Sequence, residues 1–269
     1  MATLRRHGHD TSVTAPGAPE PSAAALADLV PPDVDLHAGT GLRHPEARRV
    51  WFGVVWGRLG RGDLAAAHLD RVTEPTLQPW IVAERGRLRR ELGDHAGAQR
   101  LEEPALQLAE DDVDRAMLLL SLAADAVGLG DAELARNRLT DARRLLEERA
   151  APGPRADRQR LRATWVEVEV AWMMGRVPDA SVSSRLPRLD GAGAVQVPDI
   201  YRAGSRFHLA KGLLFAGVVH GDVRLLAGAL EHAPPALWWA VQLARGAAGV
   251  AGAEEAGRRA RAAVVPLPC

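Results

Sequence analysis

The sequence contains one cysteine, Cys269, and one lysine, Lys211, among 269 residues. A single thiol excludes an internal disulfide framework and a cysteine-rich metal site. Tyrosine occurs once and phenylalanine three times, whereas alanine, leucine and arginine are abundant. Because strands favour β-branched and aromatic residues and helices favour alanine and leucine, this composition predicts helices and not sheets.

The chain also lacks a surplus of either charge, with 34 basic and 34 acidic residues. Nucleic-acid-binding domains usually carry a basic surplus, so we expect no nucleic-acid partner. No uninterrupted apolar run approaches the ~18 residues of a membrane helix, and the first residues do not follow the signal-peptide pattern. We therefore expect a cytoplasmic protein without membrane contact. Heavy use of arginine, alanine, glycine and proline indicates a high-GC bacterial genome, as in actinobacteria.

Two regions of the chain differ in character. Residues 1–43 are polar and rich in proline and glycine, which predicts a disordered tail with room for one short helix at 22–30. Residues 44–265 show apolar positions at helical spacing, interrupted by turns that contain glycine. No segment shows the alternation of a strand, and residues 188–199 form the longest interior loop.

A Gly-Asp dipeptide recurs between the helical segments, at residues 62–63, 93–94, 130–131 and 221–222. Gly175 occupies the equivalent place in another unit. These glycines are 31 to 46 residues apart, a range typical of stacked helical hairpins. Each aspartate is placed to cap the next helix, since its carboxylate accepts from the amides of the first turn. Ala67, Ala98 and Ala135 follow their glycines by five residues, where a small side chain lets the two helices touch.

This order of helix, Gly-Asp turn and small residue resembles the tetratricopeptide repeat, a hairpin of about 34 residues. The first unit carries the resemblance best, because Trp51, the Gly-Asp turn at 62–63, Ala67 and Pro79 all fall in register. The resemblance covers roughly residues 45–260. It implies an all-α fold in which about five to six antiparallel hairpins stack into a right-handed α-solenoid.

In tetratricopeptide stacks the first helix of each hairpin lines a concave groove, and transferring that register selects nine groove candidates. They are Phe52, Trp56, Arg87, Arg90, Trp165, Glu169, Trp172, Lys211 and Phe215. Trp165 and Trp172 are seven residues apart and share a helix face in any register. Exposed tryptophan and arginine dominate binding hot spots, so the resemblance implies a protein or peptide partner. The alternative for each aromatic residue is ordinary core packing.

Other chemical signatures are weak. The glycines at 57, 60 and 62 imitate a phosphate-binding loop, but Asp63 follows where that loop needs lysine, and a helix precedes it where a strand is needed. The acidic run 110–114 fits a helix start, where carboxylates complement the macrodipole, better than a magnesium site. The histidines lack ligand spacing, and no serine stands in a nucleophile motif. We therefore expect no cofactor, no metal and no catalytic residue.

The sequence thus predicts a non-enzymatic scaffold that binds a protein or peptide partner in its concave groove. Two alternatives stay open. The helical-repeat arms of large bacterial transcription regulators are similar, although their ATPase and DNA-binding domains have no counterpart in these residues. An all-α enzyme would instead present a deep polar pocket with converging acid and base groups.

Overall fold

The computed structural model describes residues 45–203 and 206–262. These residues form twelve α-helices and only two short strands, which confirms the predicted all-α class. The predicted tail at 1–43, with its helix at 22–30, lies outside them. The helices are α1 (Pro45–Arg58), α2 (Gly62–Leu69), α3 (Gln78–Glu91), α4 (His95–Leu108), α5 (Asp112–Leu129), α6 (Ala132–Glu148), α7 (Pro154–Met173), α8 (Ala180–Ser183), α9 (Arg206–His220), α10 (Val223–His232), α11 (Pro235–Ala247) and α12 (Ala253–Ala262).

Consecutive helices pair as six hairpins, from α1–α2 to α11–α12. The odd-numbered helices also contact one another in chain order, from α1 through α3, α5, α7 and α9 to α11, and α11 returns to contact α1. These six helices therefore form a closed cycle, which we call the inner ring. The even-numbered helices pack against it and complete the apolar layers between the hairpins.

Helix α5 is buried on several sides, because it contacts α3, α4, α6 and α7. Every residue from 116 to 123 is buried, which fits a helix that is apolar around most of its circumference. The resulting core fixes α3, α5 and α7 relative to one another and so positions the side chains that these helices direct into the ring. None of the described helices is both long and apolar enough to cross a membrane.

Left-handed glycines separate the helices of most hairpins, as predicted. Gly93, Gly130 and Gly221 adopt φ angles of +85°, +80° and +64°, a region that side chains disfavour. The aspartate after each of them accepts from a backbone N–H of the next helix. Asp131, for example, accepts from the Leu134 N–H at 2.9 Å.

The first hairpin turns two residues earlier than predicted. Gly60, not Gly62, takes the left-handed conformation with φ +76°, and Gly62 is already the first residue of α2. Asp63 consequently lies within the first turn of α2, where it accepts from the Arg61 guanidinium, and the N-cap position belongs to Arg61, whose side chain makes no cap hydrogen bond. The Arg61 N–H closes α1 onto the Trp56 carbonyl, which fixes the turn at Gly60.

Because the turn lies two residues earlier, the small residue at the contact of the two helices is Ala65 and not the predicted Ala67. Ala65 is fully buried five residues after the turn, whereas Ala67 is exposed. Ala98 and Ala135 are fully buried at the equivalent positions, as predicted. With the corrected register, the first two turn glycines are 33 residues apart, closer to the length of a tetratricopeptide hairpin.

This contrast gives a matched test of helix capping. Asp131→Ala is expected to lower the free energy of unfolding by about 1 kcal/mol, because the amides at the start of α6 lose their acceptor. Asp63→Ala removes an aspartate from the same dipeptide that does not stand at the N-cap position, and we expect a change below about 0.5 kcal/mol. Urea unfolding followed by circular dichroism measures both. Equal losses would show that Asp63 caps α2 in solution.

The loop predicted at 188–199 contains a small hairpin that the sequence did not reveal. Its strands β1 (Arg188–Leu189) and β2 (Val195–Gln196) pair antiparallel. The Asp190 carboxylate accepts from the Ala192 and Ala194 N–H groups, each at 2.9 Å, and so closes the turn. Strands of two residues are too short to show alternating hydrophobicity, which explains the missed prediction.

Candidate functional site

One stripe of α7 carries much of the candidate site. Arg162, Trp165, Glu169 and Trp172 follow one another at intervals of three or four residues and therefore share a helix face. Trp165 is 2% exposed and Trp172 is 38% exposed. The stripe thus runs from the enclosed part of the inner ring to the molecular surface.

A matching stripe on α9 faces this one. Trp165 and Trp172 both stack on Phe215, with ring centroids 6.4 Å and 5.9 Å away, so the predicted shared face is confirmed. We call these three residues the aromatic cluster. The Lys211 ammonium lies 5.1 Å from the Trp165 ring centroid and 5.7 Å from that of Phe215, and His208 lies one turn earlier on α9.

Helix α1 reaches the same interior through Arg58. Its guanidinium lies 3.6 Å from the ring centroid of Phe207, on α9. This contact links α1 to α9, although these two helices are not neighbours in the inner ring. The neighbouring Gly57 lets α1 and α3 approach closely, because a Cβ there would lie 2.7 Å from the Glu84 carboxylate of α3 and would overlap the Arg87 guanidinium.

Three cations of the interior lack a carboxylate partner. Among the described residues, no carboxylate lies within 4 Å of Arg58, Arg162 or the Lys211 ammonium. Arg162 donates only to neutral oxygens, the Ser121 hydroxyl at 2.7 Å and the Met117 carbonyl at 3.3 Å. We call Arg58, Arg162 and Lys211 the interior cation site. All three side chains are partly buried.

The enclosure changes the proton affinities of this site. Burial lowers the pKa of Lys211 to about 8, with Arg162 and Arg58 lowering it further and Glu169 opposing them. Burial also lowers the pKa of His208 to about 3, so its imidazole is neutral at physiological pH. The pKa values of Arg58 and Arg162 are lowered as well, mainly by burial, but guanidinium groups stay charged near neutral pH.

Glu169 is the carboxylate that faces this cation site from α7. It makes no hydrogen bond or ion pair with any described residue, although it is close enough to raise the pKa of Lys211 and of Arg162. Glu169 is not the only negative charge near these cations, since Glu91 of α3 also acts to raise the pKa of Lys211 and of Arg58.

The other two basic candidates, Arg87 and Arg90, form ion pairs with carboxylates of α3, α4 and α5. Arg87 pairs with Glu84 and Glu91 of its own helix α3. Arg90 points between three helices and donates to Glu102 of α4 and Asp125 of α5, at 2.9 Å and 2.8 Å. Arg90 thus lies in a buried ion-pair network and not on a groove surface.

The two aromatic candidates of α1 also lie away from the site. Phe52 is buried and stacks on His68 of α2, with ring centroids 5.3 Å apart, so it packs within its own hairpin. Trp56 is partly buried against the apolar cluster of α1 and α3. Core packing, the alternative interpretation, thus describes both residues. The candidates that do converge are Trp165, Glu169, Trp172, Lys211 and Phe215, with Arg87 in the adjoining wall.

The acidic run at 110–114 marks a helix start, as predicted. Asp111 caps α5 by accepting from the Val113 and Asp114 N–H groups. The carboxylates of Asp112 and Asp114 pair with arginines. Within 45–203 and 206–262, no three potential metal ligands lie together.

No protein-family model matches this sequence. No curated protein and no solved structure is significantly similar to it. The site is therefore interpreted from its own geometry and chemistry.

Sequence reasoning missed three residues of this site, Arg58, Arg162 and His208. Two of them had a usable signal, because Arg162 precedes Trp165 by three residues and His208 precedes Lys211 by three. Extending each predicted stripe by one helical turn would have found them. Arg58 had none, since its place depends on a contact between α1 and α9.

Proposed function

We propose that this chain is a divergent tetratricopeptide-like interaction module that receives a segment of a protein partner on the concave side of its inner ring. The hairpin order, the left-handed turn glycines and the buried alanines five residues after three of them support the relationship. The evidence for partner binding is the aromatic cluster, which lies beside Lys211 and is exposed at Trp172.

The aromatic cluster has the properties of a binding hot spot. Trp172 is 38% exposed, yet its stacking on Phe215 holds the ring in place before any partner arrives. A prearranged aromatic ring loses little conformational entropy on binding and offers a large apolar surface. The unpaired cations nearby favour a partner segment with acidic groups.

Trp172→Ala is expected to weaken partner binding about tenfold or more, because it removes the exposed part of the aromatic cluster. The chain is immobilised and exposed to lysate of its source organism, and bound proteins are quantified by mass spectrometry and then titrated individually. Trp238→Ala is the matched control, since Trp238 is also 38% exposed but lies on α11 and, among the described residues, has no ring contact with the cluster.

The proposal requires a protein that binds wild type and Trp238→Ala equally and Trp172→Ala weakly. Equal binding by all three variants would place the interaction elsewhere and contradict the proposal. Circular dichroism of both variants shows whether the helices are intact. Trp165 is unsuitable for this test, because it is almost fully buried and its truncation would disturb the core.

A second candidate function is an all-α enzyme, and the convergence of acid and base groups favours it. Burial lowers the pKa of Lys211 to about 8, Glu169 acts to raise it, and both side chains are partly accessible. Proton transfer near neutral pH works best with groups of this kind. Nuclear magnetic resonance of a metabolite mixture distinguishes the two functions, since an enzyme depletes a compound with wild type and not with Lys211→Met.

A further inference from the structure

The inner ring closes where α11 returns to α1, a junction that we call the seam. The first helices of hairpins two, three, four and six each pack on both helices of the hairpin before them. Between hairpins four and five, Tyr201 adds to the contact of α7 with α9, because its hydroxyl lies 3.4 Å from the Trp165 indole nitrogen and its ring lies against Gly212. At the seam, α11 packs on α1 without comparable packing of α12 on α1. The seam is therefore built from fewer helix contacts than the other junctions.

Three buried apolar clusters of the described residues follow the ring, and none of them crosses the seam. The first joins α1, α2 and α3, the second joins α3 to α7, and the third joins α7 to α11. Trp80 of α3 packs against both the first and the second cluster. Helix α7 contributes Val166 to the second cluster and Trp165 to the third. Apolar packing thus connects the two sides of the seam only the long way around the ring, through α3 and α7.

Arginine side chains bridge the two sides of the ring where a shared apolar cluster is missing. The guanidinium of Arg58, the last residue of α1, lies 3.6 Å from the ring centroid of Phe207, which belongs to the third apolar cluster. Arg261 of α12 stacks on Trp239 of its own hairpin and extends toward the turn at Gly93, where a Cβ would lie 3.8 Å from its guanidinium. Such contacts are weaker than the burial of an apolar interface, so they break and re-form more easily.

We propose that the inner ring opens and closes at the seam, and that the contact of Arg58 with Phe207 holds it closed. The burial of apolar surface is the dominant force between packed helices. Opening at any other junction would expose part of an apolar cluster, whereas opening at the seam separates none of the three clusters. The helices on both sides of the seam therefore move apart without unfolding.

This inference deepens the proposed function and rests on it only for the purpose of the opening. A partner segment enters a closed ring only through its ends, whereas an open seam admits the segment from the side. The aromatic cluster keeps its packing during the opening, because Trp165 and Phe215 belong to the third apolar cluster. Ring opening is measured without any partner, so its failure is distinguishable from failure of the Trp172 experiment.

Distances between nitroxide spin labels, measured by pulsed electron paramagnetic resonance, test the opening. Cys269→Ser removes the only natural thiol, so labels attach only to introduced cysteines. Ala67→Cys and Ala247→Cys place the labels at exposed positions of α2 and α11, on opposite sides of the seam. Ala67→Cys and Asn137→Cys form the reference pair, because the first two apolar clusters join α2 to α6. We expect two distances for the seam pair and one for the reference pair.

Arg58→Met is expected to increase the population of the longer seam distance about threefold or more, because it removes the guanidinium that contacts Phe207. Arg48→Met is the matched control, since Arg48 also lies on α1 and its guanidinium is 5.5 Å from the ring centroid of Phe52 in the same helix. The control should leave both label pairs unchanged. One identical seam distance in wild type and Arg58→Met would overturn the proposal. An equal effect of Arg48→Met would contradict the role of Arg58.

Phe207→Leu tests the other side of the same contact, because leucine keeps an apolar side chain in the third cluster but removes the ring. It should also increase the longer seam distance. If the two residues act through their mutual contact, the double variant Arg58→Met, Phe207→Leu opens no further than the more open single variant. Additive effects would contradict that contact. Circular dichroism confirms that the helices are intact, and a longer reference distance would place the movement elsewhere and overturn the proposal.

Discussion

Arg90→Met is expected to lower the free energy of unfolding by about 3–5 kcal/mol, the range for removing one partner of a buried ion pair. Arg90 donates to Glu102 and Asp125, and both carboxylates are 0% exposed. Methionine has a similar volume but no charge, so both carboxylates would stay buried without their cation. Urea unfolding followed by circular dichroism measures the loss.

A surface arginine supplies the control for this substitution. Arg258 also contacts two carboxylates, Glu254 and Glu255, but all three side chains are more than half exposed. Arg258→Met should change the free energy of unfolding by less than about 1 kcal/mol, because water already screens these charges. Similar losses for the two substitutions would show that solvent reaches the Arg90 network.

The loss at Arg90 should increase with pH. Burial raises the pKa of Glu102 to about 7 and raises the pKa of Asp125, so the folded state holds more protons than the unfolded state between about pH 4.5 and 7. The stability contributed by these carboxylates is thus present below about pH 4.5 and is lost as the pH rises through about 7. Protonated carboxylates need no cation, so Arg90→Met should cost less at pH 5 than at pH 8.

Gly86→Ala is expected to lower the free energy of unfolding by about 1–3 kcal/mol, although alanine is normally the better helix former. A Cβ at Gly86 would lie 2.6 Å from the Glu102 Cδ and would overlap its Oε1. Glu102 is fully buried and held by Arg90, so it has no room to move aside. The absence of a side chain at Gly86 therefore permits the close approach of α3 and α4.

Gly228→Ala should have the opposite effect. Gly228 lies within α10, and a methyl group at this position would meet the Leu213 side chain at 3.6 Å, an ordinary contact distance. Alanine there should stabilise the protein by about 0.5–1 kcal/mol, because it reduces the entropy of the unfolded chain. Thermal unfolding of both variants tests the pair. Destabilisation by both, or by neither, would contradict the packing at Gly86.

The sequence by itself determined the features that depend on neighbouring residues. Composition and apolar spacing predicted an all-α protein, and the helices and turns after Gly93, Gly130 and Gly221 follow the prediction. A left-handed glycine and the aspartate after it act within a few residues, so the sequence contains the information. The shared face of Trp165 and Trp172 was predictable for the same reason, since one helix fixes it.

Tertiary structure alone decided which charged residues meet. Arg87, Arg90 and Arg162 look alike in sequence, yet the first pairs within α3, the second joins α4 and α5, and the third meets no carboxylate among the described residues. Arg58 reaches the site only because α11 returns to α1 and closes the inner ring. Burial and electrostatics depend on distances between helices far apart in the chain, and helical periodicity carries no information about those distances.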